Sequence, residues 1–144
     1  MNRTFLLILS IVLIICAVFL SKYFELKQTQ ITIQNFNSKY EKFINKEIQG
    51  TDIASIINQA VDDNEKQWVK KDETGKYIQD EEKSINIEIK IPEFSEKQVF
   101  TMEALYNGGM SEFVRFYGRI PFKCTKIEYN SNKRVKYMMF EQIK

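Results

Sequence analysis

The chain has 144 residues, with 21 Lys and Arg against 19 Asp and Glu, for a net charge of +2. So even a balance does not call for a nucleic-acid partner. Histidine is absent, which excludes Ser-His-Asp triads, Cys-His dyads, HExxH zinc sites and most transition-metal sites, and the sequence implies no cofactor.

Thr4 to Ser21, TFLLILSIVLIICAVFLS, carries no charge and lies between Arg3 and Lys22. As a helix it spans roughly 27 Å, enough for a thin hydrocarbon core. A secretory signal ends in a small-x-small cut site, but Ala17-Val18-Phe19 puts an aromatic where the second small residue belongs. Leu13-Ile14-Ile15 ahead of Cys16 does not fit lipid attachment. Residues 1–21 therefore read as an uncleaved transmembrane anchor, single-pass in the cell membrane. Arg3 and the α-amine nearly balance Lys22 and Lys27, and the short N-terminal tail places the bulk of the chain outside the cytoplasm. Tyr23 and Phe24 fit the aromatic belt at the far interface.

Residues 22–35 are polar with scattered Leu26, Ile31 and Ile33, and read as either a helical stalk or a linker. Residues 36–144, about 110 residues, are enough for one small domain with its own core. Phe36, Tyr40, Phe43, Ile44 and Ile48 fall at helical spacing, with Gly50 as the expected stop. Thr51 or Asp52 then caps a second helix whose stripe is Ile53, Ile56, Ile57, Ala60 and Val61.

After Glu65 the period changes. Residues 67–70 and 76–78 are short strand candidates around the turn Asp72-Glu73-Thr74-Gly75, and residues 80–83 form a second turn. Ile85, Ile87, Ile89 and Ile91 alternate with polar residues, the pattern of a sheet buried on one face, with Pro92 as its stop. Residues 101–107 read as a helix stopped by Gly108-Gly109, and Met110 to Tyr117 as another. A hairpin of residues 122–129 and 135–143 closes the chain around Asn130-Ser131-Asn132-Lys133. The expected class is α+β: an N-terminal transmembrane helix with a stalk, then a small antiparallel sheet packed on amphipathic helices.

Cys16 and Cys124 are separated by the membrane boundary, so no intrachain disulfide is expected. Without a histidine to activate it, Cys124 reads as an inert thiol. The acids at 62–63, 72–73 and 80–82 lack calcium-loop spacing; two of these clusters sit in expected hairpin turns, where acids are ordinary solvated surface residues. Trp68 reads as a core or edge anchor. The C-terminal end is the most basic part. Lys123, Lys126, Lys133, Arg134 and Lys136 interleave with Tyr129 and Tyr137, a surface for a protein partner or an anionic envelope polymer.

A hydrophobic N-terminal helix leading into an amphipathic segment and a sheet resembles the type IV pilin and pseudopilin plan. The resemblance is one of architecture. Asn2-Arg3-Thr4-Phe5 stands where that family's processing glycine would be, and the first acid is Glu25, so no pilin site residue carries over. GTDIASIINQAVDDNEK from Gly50 and FKCTKIEYNSNKRVKYMMFEQI from Phe122 resemble small single-pass proteins of clostridia and related Gram-positive bacteria. That resemblance implies an envelope protein and carries no activity with it. The expected function is a membrane-anchored, non-catalytic extracytoplasmic interaction module. The alternative is a pilin-like structural subunit that forms homo-oligomers through its stalk helix.

Overall fold

The computed structural model describes residues 2–93 and 96–143. They form two compact units, Met1–Asn35 and Phe36–Lys144.

The first unit is most of α1, which runs without a break over Arg3–Glu41. Residues 22–35 are thus helical. Among the described residues α1 is the one helix long and apolar enough to cross a membrane, and its most apolar window is fully exposed. Three hydroxyls of α1 are satisfied locally: Ser10 donates to the Leu7 carbonyl at 2.8 Å, and Thr29 and Thr32 to those of Glu25 and Gln28 at 3.0 Å.

The second unit, the head, starts with the last turns of α1. The helix expected through Ile48 ends at Glu41 instead, because Asn45 takes a left-handed φ of 59° that Asn tolerates and a helix interior does not. Ile48 lies in a short strand, β1 (Glu47–Gln49). Gly50, expected to stop a helix, opens α2 (Gly50–Lys66). Its amide donates to the Ile120 carbonyl at 3.1 Å, and a Cβ there would stand 2.1 Å from the Tyr117 carbonyl oxygen, so only glycine fits. Asp52 accepts the Gln49 N–H at 2.9 Å and caps the first turn.

The isoleucine repeat forms β2 (Asn86–Glu93) and the flanking Ile85, and all four isoleucines are buried. Pro92 does not stop β2. Pairing with β5 (Val135–Gln142) ends at Lys90, so Pro92 has a neighbouring strand on one side alone and its missing N–H costs little. β2 turns into β3 (Glu96–Thr101), a strand whose sequence shows no alternation. The expected break at Gly108-Gly109 is present: the helical stretch that opens as α3 (Met102–Ala104) and runs on from Leu105 is interrupted at Gly108, whose backbone (φ 175°, ψ −10°) is not helical, and α4 (Met110–Tyr117) follows. β4 (Pro121–Tyr129) and β5 make the expected hairpin, with irregularities at Cys124/Lys126 and Glu128/Tyr129.

The five strands lie in the order β1-β4-β5-β2-β3. The head is α+β as expected, but the sheet is mixed, since β2 and β5 pair in parallel. The physical reason is the crossover. The chain leaves β2 through the edge strand β3, crosses the inner face as α3 and α4, and re-enters at β4 on the far side. The strand pair expected at 67–70 and 76–78 is reduced to one bridge, Lys71 to Tyr77, closed by Asp72 accepting from the amides of Thr74 and Lys76. Trp68 is no core anchor: at a positive φ of 56° it is 90% exposed.

The core joins Ile53, Ile56, Ile57 and Ala60 of α2 to the isoleucines of β2 and to Phe122, Met138 and Phe140. Four buried isoleucines contribute about 8 kcal/mol before conformational entropy. Ile89 lies between Phe100 and Phe140 in the sheet and has no accessible surface. Ile89→Val should cost about 1 kcal/mol in denaturant melts, and Ile89→Asp roughly 4 kcal/mol or more, enough to abolish cooperative melting. A cooperative transition retained in the aspartate variant would refute this core.

Candidate functional site

The hairpin β4–β5 carries the residues that sequence reasoning marked. Lys123 lies opposite Glu47 on β1 and Glu141 on β5, and Glu141 lies opposite Lys90 on β2. The Lys90 ammonium reaches Glu141 at 2.8 Å. The outer face of the sheet thus alternates acid and base across four strands. Lys126 pairs with Glu128 at 2.6 Å and lies 5.3 Å from the Tyr137 ring centroid. Its hydrogen bond holds the Glu128 carboxyl below the usual carboxylate range. Tyr137 donates to Glu88 at 2.8 Å, and its phenol is pushed up by burial and by that carboxylate. Lys136 meets Glu81 at 3.3 Å. Tyr129 donates to Glu41 at 2.9 Å, and burial with that contact pushes it up to about 12.

Arg134 stands apart, because it points into the protein. Its guanidinium lies 3.6 Å from the Phe36 ring centroid and donates to the carbonyls of Glu82, at 3.1 Å, and Lys83. Burial lowers its pKa from the ordinary arginine value. Among the described residues neither Lys123 nor Lys133 has an ion pair. The two do not converge: Lys123 is near the start of β4 and Lys133 in the far turn, about 20 Å along the strand. The hairpin gathers Lys126, Glu128, Tyr137 and Glu88, a patch of both signs rather than a basic one.

A second constellation, which sequence reasoning missed, is the polar socket around the end of α1. Among the described residues, six of the seven buried polar side chains are here: Asn37, Asp63, Asn64, Ser84, Asn130 and Arg134. The Asn37 amide donates to the Lys133 carbonyl at 2.8 Å and its oxygen accepts the Val135 N–H at 2.9 Å. Asp63 accepts from Tyr40 Oη at 2.7 Å and from Lys39 Nζ at 2.8 Å. Burial, together with the Asp63 contact, raises the Tyr40 phenol far above its ordinary value. Asn64 brackets Ile85, donating to its carbonyl and accepting its N–H. Each of these residues belongs to an ordinary polar run in sequence, so the one available signal was Asp62-Asp63-Asn64 interrupting the apolar face of α2.

A third feature is an open groove of about 640 Å³ between β3, the Leu105–Gly109 segment and α4. Phe100, Leu105, Phe113 and Phe116 line it, with Gln98 and Glu112 as polar members. Phe116 is 61% exposed.

Asp72 and Asp80 close turns as expected, whereas Asp62 and Asp63 lie within α2 and Asp63 is buried. Burial pushes the Asp80 carboxyl up, but the amides of Lys83, Ser84 and Glu82 together hold it below the usual range. Among the described residues no group of three or more His, Cys, Asp or Glu side chains is placed to hold a metal ion. Cys124 is buried, its thiol donates to the Lys126 carbonyl at 3.4 Å, and burial pushes its pKa up. Compared with known proteins, the chain matches no family model, no curated protein and no solved structure.

The socket predicts a ladder of stabilities. Tyr40→Phe should cost about 1.5 kcal/mol and Asn37→Ala about 2 kcal/mol, each leaving buried partners unmatched. Asp63→Ala should cost about 3 kcal/mol, since it strands Tyr40 and Lys39 together. Equal midpoints for all three in urea melts would contradict the network. For Cys124, alkylation of the native protein should proceed at least about tenfold more slowly than in urea, because the thiol is both buried and protonated at neutral pH. Equal rates in the two states would make it a reactive thiol.

Proposed function

We propose that the chain is a membrane-anchored, non-catalytic interaction module of the bacterial envelope, with its head outside the cytoplasm. The observation that carries this reading is the pairing of an uncharged, fully exposed helical segment with a head whose own apolar residues already form a closed core. Nothing in the head needs that segment for burial, so its apolar surface is accounted for by lipid. The lack of histidine and the buried, protonated Cys124 support a binding role over nucleophilic or acid–base chemistry.

The partner in this reading is a protein rather than an anionic polymer. Lys126 and Lys136 are each matched by an acid, and Lys123 faces Glu47 and Glu141, so the hairpin offers a polyanion little net attraction. The unbroken helix of α1 favours the second reading, a structural subunit packed through copies of α1.

One experiment separates these. A membrane-impermeant, amine-reactive crosslinker applied to intact cells should join the head to a protein of different size. A ladder of homo-oligomers would replace the module with the structural subunit. Adducts that form after lysis alone would overturn the extracytoplasmic placement.

A further inference from the structure

The two edges of the sheet differ. β1 is three residues long and offers little backbone to pair with. β3 has six residues, pairs with β2 on one side, and among the described residues has no strand on the other. Such an edge carries a row of alternating N–H and C=O groups that only another backbone matches. Soluble domains usually blunt an edge of that length with charge, proline or a covering element. The strand, EKQVFT, begins with two charged residues, Glu96 and Lys97, but its second half, Gln98 to Thr101, carries none.

The groove lies along that same edge. In the β2–β3 register Phe100 faces Ile89 and Gln98 faces Ile91, both buried, so Gln98 and Phe100 belong to the inner face of the sheet. Both also line the groove. A strand added beside β3 would lie about 4.8 Å away, and alternate side chains would point to the inner face. There they meet Leu105, Phe113 and Phe116 directly. The break at Gly108 separates α3 from α4 beside this space, and Gly109 adds no side chain to its wall: a Cβ there would come within 3.3 Å of Leu105 Cδ2.

The charge of the groove selects further. Among the described residues Glu112 is the one charged residue lining it, and its carboxylate has a 3.8 Å contact to Arg115 on the exposed side of α4. It can still take a cation from the occupant.

Resting on the reading of the head as an interaction module, we propose that β3 is a strand acceptor. It binds an extended peptide segment of a partner protein, with apolar side chains at alternate positions filling the groove and a lysine or arginine placed against Glu112. Main-chain bonds to β3 give affinity, and the groove with Glu112 gives register and choice. Lipid acyl chains would fill an apolar groove but leave the β3 backbone row unmatched, which disfavours them as the natural occupant.

The test uses the full chain in lipid nanodiscs and fluorescence polarisation of labelled octapeptides. The probe panel places valine or phenylalanine at alternate positions with one lysine. A matched set carries N-methyl groups on alternate amides, and another replaces lysine with glutamate. The lysine peptides should bind saturably, and alternate N-methylation should weaken them at least about tenfold, ~1.4 kcal/mol. Phe116→Ser and Glu112→Lys should each weaken them similarly, both at exposed positions where the fold is retained, and Glu112→Lys should prefer the glutamate set. Equal binding of the N-methylated peptides would overturn strand addition, as would displacement of the probe by a free fatty acid. Absence of binding across the whole panel would overturn the proposal while leaving the crosslinked partner, found at another face, intact.

Discussion

Asp63 is the group on which the head depends most. A carboxylate buried near the end of α2 is costly unless it is matched, and here both of its described partners come from the last turns of α1. Lys39 brings the opposite charge and Tyr40 a hydroxyl donor. One turn earlier Asn37 occupies the backbone of the β4–β5 turn, and Phe36 supplies the ring beneath Arg134. The helix end is thus a structural member of the head rather than a tether attached to it. That explains why the polar interior is gathered in one place. The socket joins four segments distant in sequence, and polar groups fix their mutual position with a specificity that interchangeable apolar contacts lack.

Around that anchor the sheet topology follows from two strands that need burial on the inner face. β2 and β5 carry the largest apolar load, with Ile87, Ile89, Met138 and Phe140 fully buried, and they take the centre of the sheet side by side. Placing them in parallel forces the chain between them to cross the sheet. The crossing segment is built from two short helical stretches, α3 and α4, with a break at Gly108 between them. The groove beside β3 is a by-product of that crossing: α4 turns back toward β4 before it covers the edge, and Phe116 is left exposed.

Much of this was legible in the sequence where the information is local. The isoleucine alternation, the stripe of α2 and the turn-flanked hairpin are period-2 and period-3.6 signals, and each produced its element. The parallel pairing of β2 with β5 was not legible, because no local pattern records which distant strand lies alongside. β3 escaped because Val99 and Phe100 are adjacent rather than alternate. Pro92 misled because its effect depends on whether a neighbour is present on the side of the missing N–H. The candidate site shows the same division. The lysines and tyrosines of the hairpin were visible as residues, but the acids that match them, Glu81, Glu88 and Glu41, arrive from other elements. Arg134 read as one more surface cation because the carbonyls and the ring that hold it come from residues 82–83 and from Phe36.

These matched charges constrain how the head can recognise anything. A sheet face on which Glu47, Lys123, Glu141 and Lys90 alternate has little field beyond its own neighbours, and at physiological ionic strength what remains decays over about 8 Å. Electrostatic steering to that face is weak, and specificity from it would require desolvating ion pairs at a cost comparable to their gain. An apolar groove beside an open backbone edge has neither limitation. Its gain comes from surface removed from water and from main-chain bonds that are short-ranged and insensitive to salt. The distribution of charge and apolar surface therefore favours the β3 edge over the hairpin as the surface for the proposed recognition.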